Sequence, residues 1–174
     1  IGAAVGYSAM CFSEFLAEGG SIDTIEREEE RIAEAKENFK KVLKKLGFTE
    51  NKHIYIKPFP EFDCEIKVDF KNEKFEYPND IEFDGEFTLN FHQKESFVVL
   101  ECVHNLLVKG YHPRHIELEK TFSKQKKEDG GGRADIIVKN NDGNILLIIE
   151  CKTAGDEFKK HWQKTLQDGD QLFR

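Results

Sequence analysis

The fold is decided by the stretch from residue 133 to residue 152, RADIIVKNNDGNILLIIECK, in which two apolar runs flank a short polar segment. Asp142 and Gly143 lie between the two runs. An Asp-Gly pair in this position favours a β-hairpin, because both residues tolerate the positive φ that a type I′ turn requires. The segment therefore predicts two antiparallel strands joined by a tight turn.

The position of the turn fixes which residues face each other across the hairpin. Counting outward gives the expected pairs, which are Asn141 with Asn144, Lys139 with Leu146, Ile137 with Ile148, and Asp135 with Glu150. The Cβ atoms of such a pair lie about 4.5–5.5 Å apart. Lys152 follows Glu150 by two residues and so points to the same face. The hairpin is thus expected to present two carboxylates and one ammonium together.

Two carboxylates that face each other on a sheet repel, and a divalent cation is the simplest compensating charge. A small set of oxygen ligands suits Mg²⁺, which keeps several waters and takes one or two protein carboxylates plus a substrate phosphate oxygen. Mn²⁺ is a possible substitute. Such an ion polarises a phosphoryl oxygen and lowers the pKa of an attacking water, and Lys152 would orient that water or stabilise the developing charge. These residues indicate hydrolysis of phosphodiester bonds.

The order Asp135, then Glu150-Cys151-Lys152, resembles the D…ExK signature of the PD-(D/E)xK nuclease superfamily. Residues 95–174 are similar in order and spacing to the N-terminal nuclease domain of type I restriction R subunits. The matching positions upstream are Glu95, Val98, Leu106-Leu107, Gly110-Tyr111, residues 116–119 and residues 133–136. A second and looser resemblance covers residues 165–173, which are similar to nuclease domains fused in front of an adenine-N6 DNA methyltransferase in single-chain restriction–modification enzymes.

The resemblance implies a fold and a set of site residues. The fold would be α/β, a restriction-endonuclease-like mixed β-sheet flanked by helices, here with an N-terminal helical arm. The catalytic positions would be Glu95, Asp135, Glu150, Lys152 and Gln171. The metal ligands would be Asp135, Glu150 and the backbone carbonyl of Cys151. Gln171 matches the Gln of a Gln-x-x-x-Tyr motif whose Tyr position would fall just past Arg174.

Glu95 can also be argued from helical periodicity. In a helix over residues 94–109, an arc of apolar side chains has Glu95 in its middle, and Glu101 falls off that arc into solvent. The apolar members of the arc are Val98, Val99, Cys102, Val103 and Leu106. A carboxylate on a buried face needs a partner, for which a metal-bound water or Lys152 is suitable. The alternative is that Glu95 is a first-turn acid stabilised by the helix dipole.

Three segments make up the predicted organisation. Residues 1–48 form a helical arm, with a helix over 3–17 and a long helix that Gly47 stops. Residues 49–94 form a β-rich elaboration with strands at 53–57, 65–70, 74–77 and 86–91, whose Phe side chains we assign to the core rather than to base stacking. Residues 95–174 form the nuclease core.

Two further elements of the core segment carry polar side chains. In the predicted strand over residues 114–122, Glu117 and Glu119 share a face, where they either form an exposed edge, which we favour, or add a metal ligand. The helix after residue 157 places Gln163, Gln167 and Gln171 on one face.

Charge and cysteine content bound the partners. The net charge of −7 is unexpected for a protein that binds DNA through phosphates. Local basic clusters could bind phosphates or could be ordinary solvated faces. They comprise Lys120, Lys124, Lys126, Lys127 and Arg133 on one side, and Lys159, Lys160, His161 and Lys164 on the other.

The four cysteines show no metal-binding spacing and predict buried thiols. No membrane span or secretory signal is predicted, so we expect a cytoplasmic protein.

Taken together, the sequence predicts the DNA-cutting module of a restriction–modification enzyme. Its expected partners are double-stranded DNA and further domains of a larger polypeptide: a methyltransferase or helicase and a specificity domain. Two alternatives stay open. One is a non-catalytic DNA- or protein-docking domain with a nuclease-like fold, and the other is a repair or junction-resolving nuclease.

Overall fold

The computed structural model describes residues 29–122 and 132–153, together with Lys159 and Gln163. The chain divides into two compact units, residues 1–48 and 49–174. Helices and two sheets occur together, which confirms the expected mixed α/β class. The elements are α1 (Glu29–Lys45), β1 (Thr49–Asn51), β2 (Ile54–Phe59), β3 (Cys64–Asp69), β4 (Lys74–Glu76), β5 (Glu82–Phe83), α2 (Lys94–Val108), β6 (Ile116–Thr121), β7 (Arg133–Lys139) and β8 (Ile145–Ile149).

In the first unit, helix α1 is stopped by the glycine that the sequence predicted. Gly47 has a φ of +84°. Its N–H donates to the carbonyl of Lys44, and the N–H of Phe48 donates to the carbonyl of Leu43. This pair of bonds satisfies two carbonyls that the end of a helix would otherwise leave without partners. The start of the long helix, and the predicted helix over residues 3–17, lie outside the described residues.

The predicted β-rich segment forms an antiparallel meander in the order β1-β2-β3-β4. Three of the four predicted strands are confirmed there. The fourth, over residues 86–91, is wrong, because Phe87–Leu89 forms a 3₁₀ turn. Two Phe side chains of this segment belong to the core, as expected. Phe59 and Phe75 are each 2% exposed, and the ring centroid of Phe75 lies 4.9 Å from that of Phe91 and 5.4 Å from that of Phe97. Phe87 departs from the expectation, because it is 56% exposed.

The second sheet is mixed and has the order β5-β6-β7-β8. Strand β5 pairs parallel with β6, and the other two pairings are antiparallel. Residues 134–138 of β7 are all buried, whereas β8 forms an edge on which Ile145, Leu146, Leu147 and Ile148 are exposed. Burial is therefore concentrated on β6 and β7, the two interior strands.

The hairpin between β7 and β8 forms, but its turn differs from the predicted one. Gly143 has a φ of +80°, whereas Asp142 does not have a positive φ, so the turn is not type I′. The N–H of Gly143 donates to the carbonyl of Asn140, and the side-chain oxygen of Asn140 accepts from the N–H groups of Asp142 and Asn144. The Asn140 side chain thus organises a turn over residues 140–143.

The different turn changes the register near the loop and leaves it unchanged further along. Ile137 pairs with Ile148, as predicted, but Lys139 pairs with Ile145 rather than Leu146. An irregularity between Val138 and Lys139 absorbs the difference. The face on which each side chain of the hairpin's far end lies is therefore the predicted one.

Helix α2 contacts both sheets of the second unit. Its Phe97 meets Phe75 of β4, and the ring of its His104 lies 5.9 Å from that of Phe59 in β2. On the other side, Cys102 contacts Cys151, which follows β8. Within the described ranges, neither helix has the length and apolar character needed to cross a membrane.

Candidate functional site

Asp135 lies on β7, where the sheet is irregular on both sides. Toward β6, the ladder pairs Leu118 with Ile136 and Lys120 with Ala134 and skips the position between them. Toward β8, the last pair is Ile136 with Ile149, one short of the predicted pair of Asp135 and Glu150. The backbone N–H of Cys151 donates instead to Oδ2 of Asp135, over 2.7 Å. The side chain of Asp135 thus anchors the segment that follows β8.

That segment carries Glu150 and Lys152, and Lys152 joins two carboxylates. Its Nζ lies 2.6 Å from Oε1 of Glu150 and 3.4 Å from Oε1 of Glu95 on α2. The side chains of Lys152 and Glu150 are 19% and 20% exposed, and that of Glu95 is 43% exposed. Residues 57 positions apart in the chain therefore meet at one ammonium group.

The electrostatics of this cluster favour an added positive charge. Burial raises the pKa of Asp135, and the carboxylates of Glu150 and Glu95 raise it further, against the opposing hydrogen bond from Cys151 and the charge of Lys152. Burial opposes the charge on Lys152, but its hydrogen bond to Glu150 and the surrounding carboxylates outweigh burial and raise the pKa of Lys152. Three carboxylates around one ammonium leave two negative charges when all are ionised.

Glu95 lies at the edge of the buried face of α2 and not in its middle. The buried residues of the helix are Ser96, Val99, Leu100, Val103, His104, Leu106 and Leu107. The centre of that face is thus rotated from the predicted arc, and Glu95 is half-buried beside it. Glu101 is exposed, as predicted. The position of Glu95 leaves its carboxylate able to reach Lys152 and solvent together.

The expectation that Glu117 and Glu119 form an exposed edge is wrong. Both are buried, at 5% and 1% exposure, because β6 lies between β5 and β7. The carboxylate of Glu117 is hydrogen-bonded to Lys139, and its Oε2 lies 3.4 Å from Nζ of Lys120. Burial opposes ionisation of Glu117, but these two lysines lower its pKa overall. Glu117 is thus a buried, charge-paired group.

Glu119 is the residue whose role the sequence analysis missed. It has a φ of +58°, a strained value for a residue with a side chain. Its Oε1 accepts from the N–H and the hydroxyl of Thr88, over 2.6 and 2.7 Å. Among the residues that the structure describes, its Oε2 has no hydrogen-bond partner. A side chain at Gly85 would overlap this carboxylate, so the carboxylate in its present position requires glycine there.

Glu119 is linked to the charged cluster through the 3₁₀ turn Phe87–Leu89, to which it is hydrogen-bonded. Thr88 lies in that turn, and the carbonyl of Phe87 in the same turn accepts from the hydroxyl of Ser96 over 3.1 Å. Ser96 follows Glu95 in the first turn of α2. Glu119 therefore positions the start of the helix that carries Glu95. No sequence signal identifies this role of Glu119, since a two-residue partner strand such as β5 leaves no periodicity.

The thiols of Cys102 and Cys151 lie on the two elements that carry the charged cluster. The Sγ of Cys151 lies 3.9 Å from that of Cys102, and both residues are free cysteines. The hydrogen bond from Cys151 lowers the pKa of Cys102 to about 7, although burial opposes this shift. The same hydrogen bond, together with burial, raises the pKa of Cys151. Cys151 is 2% exposed and so lies in the core, as the sequence analysis assigned it.

Several predicted residues lie outside the described part of the chain. They are Gln171, Cys11 and, from the basic clusters, Lys124, Lys126, Lys127, Lys160, His161 and Lys164. Lys120 is described, and its Nζ lies near Glu117 and 3.7 Å from Oδ1 of Asp84. It is thus paired within the protein.

The residues that the structure describes include no group of three or more His, Cys, Asp or Glu side chains placed to hold one metal ion. A two-carboxylate magnesium site requires fewer protein side chains than that. No protein-family model matches the chain, and a search of curated proteins finds no significant match.

Proposed function

We propose that this chain is a Mg²⁺-dependent DNA endonuclease module of the PD-(D/E)xK type, with a restriction-endonuclease-like fold, and that it is the cutting module of a restriction–modification enzyme. The observation that carries the proposal is the position of Lys152, whose Nζ lies 2.6 Å from Glu150 and 3.4 Å from Glu95, beside the buried Asp135. These are four of the five residues that the resemblance assigns to catalysis.

The donor set fits a hard divalent cation. Asp135, Glu150 and the backbone carbonyl of Cys151 offer oxygen ligands only, which suits Mg²⁺ or Mn²⁺. The raised pKa of Asp135 reflects burial first and then the excess of negative charge around it. The bound ion would supply activation of a water and neutralisation of a phosphate.

The chain's own residues have distinct roles in this proposal. Asp135 is held in place by the N–H of Cys151. Lys152, kept protonated by its carboxylate neighbours, orients the attacking water and stabilises the negative charge that develops on the phosphate. Glu95 restrains the ammonium group of Lys152 through their 3.4 Å contact. Each role requires the charge that its side chain carries in the cluster.

Binding of DNA needs positive charge from residues other than the lysines that are paired within the described structure. The protein is acidic overall, and the described lysines 120 and 139 are paired with Glu117. This observation favours a second candidate, a docking domain that keeps the fold without turnover. A repair or junction-resolving nuclease would use the same catalytic residues.

Cleavage and metal binding together test the proposal. Supercoiled plasmid is incubated with the native protein, with Asp135→Ala and with the control Glu101→Ala, whose side chain is exposed on α2, in Mg²⁺ and then in Mn²⁺. Calorimetric titration with Mn²⁺ is performed on the same three proteins. We expect metal binding and metal-dependent nicking in the native protein and the control, and neither in Asp135→Ala.

The two readouts separate the candidates. Metal binding that Asp135→Ala abolishes, without nicking even in the full-length polypeptide, favours the docking domain. Absence of metal binding in the native protein, or nicking that survives Asp135→Ala, overturns the proposed site.

A further inference from the structure

The thiols of Cys102 and Cys151 join the two elements that carry the charged cluster. Cys102 lies on α2, seven residues after Glu95 and so two helical turns along nearly the same face. Cys151 lies between Glu150 and Lys152 in the irregular segment after β8. Their sulfur atoms are 3.9 Å apart. A bond between them would connect the helix of Glu95 to the segment of Glu150 and Lys152.

We propose that Cys102 and Cys151 form an oxidative modification site, which a hydroperoxide converts into a disulfide. A disulfide needs its sulfur atoms about 2.05 Å apart, so the thiols must approach by a little less than 2 Å. Residues 150–153 lie outside any strand or helix, and side-chain rotation at Cys102 can share the movement. Cys102 is part-exposed and Cys151 is buried, so the oxidant reaches Cys102 first.

The chemistry balances with one hydroperoxide for each pair of thiols. The sulfur of Cys102 attacks the peroxide, an S–O bond forms, the O–O bond breaks, and the alcohol, or water when the oxidant is hydrogen peroxide, leaves with the thiol proton. The sulfur of Cys151 then attacks that of Cys102, the S–S bond forms, and the S–O bond breaks. The hydroxide released takes the proton of Cys151 and leaves as water. Two thiols lose two electrons, and the peroxide gains them.

Cys64 provides a matched control within the same unit. It is also a free, part-exposed cysteine, but it lies at the start of β3 in the other sheet. Burial raises its pKa, and the carboxylates of Asp80 and Glu61 raise it further. Cys64 is thus part-exposed like Cys102, but it lies in the sheet β1-β2-β3-β4, whereas Cys151 follows a strand of the other sheet.

The effect on cleavage, unlike the modification itself, rests on the proposed function. The new bond would move Glu150 and Lys152 relative to Glu95, whose contact with Lys152 spans 3.4 Å. A misplacement of about 1 Å in a catalytic site costs roughly 100-fold in rate. We therefore expect oxidation to reduce cleavage by about that factor, and a dithiol reductant to restore it.

The test treats the full chain with hydrogen peroxide, alkylates the remaining thiols, and maps the peptides by mass spectrometry without reduction. We expect a peptide pair joined through Cys102 and Cys151 in the native protein and in Cys64→Ser, and its absence in Cys102→Ser and Cys151→Ala. Circular dichroism verifies that each variant is folded. If the native protein, after the peroxide is consumed, keeps both thiols open to alkylation or carries sulfinic acids instead, the modification site is wrong.

The same samples separate this proposal from the proposed function. If the disulfide forms and the reduced protein does not cut DNA, the modification site stands and the proposed function fails. If the reduced protein cuts DNA and the oxidised one cuts equally fast, the effect on the site is overturned.

Discussion

Replacing Lys152 with Met should separate metal binding from cleavage. Met keeps the alkyl stem and removes the positive charge, so the cluster changes from two net negative charges to three. Two unit charges 4 Å apart near a protein surface interact by about 4 kcal/mol. The side chain of Lys152 is 19% exposed, and water and salt reduce this effect to about 1 kcal/mol. That energy corresponds to Mg²⁺ binding about fivefold tighter.

The variant should also lose cleavage, because it lacks the group that orients water and stabilises charge. Calorimetric titration with Mg²⁺ and plasmid nicking on the same preparation measure the two effects. Lys139→Met is the control, since Lys139 pairs with Glu117 instead, and it should leave Mg²⁺ affinity unchanged. If Lys152→Met binds Mg²⁺ more weakly than the native protein, or nicks plasmid as fast, the assignment of Lys152 is refuted.

Four further substitutions test the fold and the buried charges, each by urea unfolding. Asp135 has a raised pKa in the folded protein, so its ionisation costs stability as the pH rises from the ordinary value of 3.8 through the raised one. Asp135→Asn should therefore be at least as stable as the native protein at neutral pH and should lose this advantage below pH 3.8. A variant that is less stable at neutral pH would contradict a raised pKa of Asp135. Glu119→Ala leaves both donors of Thr88 without their acceptor and should cost about 2–4 kcal/mol, whereas a cost too small to measure would show that the buried acid does not hold the turn. Ile137 and Ile148 pair across the hairpin but are 1% and 46% exposed. Ile137→Ala should therefore lower the free energy of unfolding by about 2–5 kcal/mol, and Ile148→Ala by under about 1 kcal/mol. Equal losses would contradict the assignment of β8 as an exposed edge.

The hairpin shows what periodicity can and cannot specify. Counting outward from a turn at Asp142 and Gly143 predicted correctly that Ile137 pairs with Ile148, because the irregularity beside Lys139 restores the register. The turn type was missed because Asn140, one position earlier, bonds two backbone N–H groups with its side chain and shifts the turn toward itself. A side chain that hydrogen-bonds to nearby backbone groups changes the structure locally. The bulge beside Lys139 confines the change in register to the loop.

Glu117 and Glu119 were misassigned for a different reason. Their alternation with Ile116 and Leu118 is typical of a strand with one wet face, but β6 is an interior strand. Its second neighbour, β5, is two residues long, which is too short to produce any periodic pattern. Burial of alternating acids is possible here because lysines pair with Glu117 and Thr88 bonds Glu119. Lys120 is a near neighbour of Glu117, but Lys139 and Thr88 come from distant parts of the chain and could not be predicted.

The sequence predicted the charged side chains of one hairpin and offered Lys152 as one of two partners for Glu95, and the structure shows the contact between Lys152 and Glu95. Strand alternation predicted that Asp135, Glu150 and Lys152 share one face. The structure brings them together although residues 150–153 lie outside any strand. The contact of Lys152 with Glu95 depends on how α2 lies against the end of β8, and helical periodicity placed Glu95 at the wrong angle on its helix. Sequence pattern therefore located the charges, and tertiary structure determined which of them meet.

The charges of the described residues match one electrostatic requirement of the proposed function better than the other. An active centre for phosphodiester hydrolysis needs negative charge to hold a cation, whereas a DNA-binding surface needs positive charge to hold phosphates. Here the cluster around Asp135 retains a surplus of carboxylates, while Lys120 and Lys139 are committed to neutralising Glu117. Since a lysine that neutralises an internal acid contributes little net field to a phosphate, DNA binding under the proposed function would depend on basic residues other than Lys120 and Lys139.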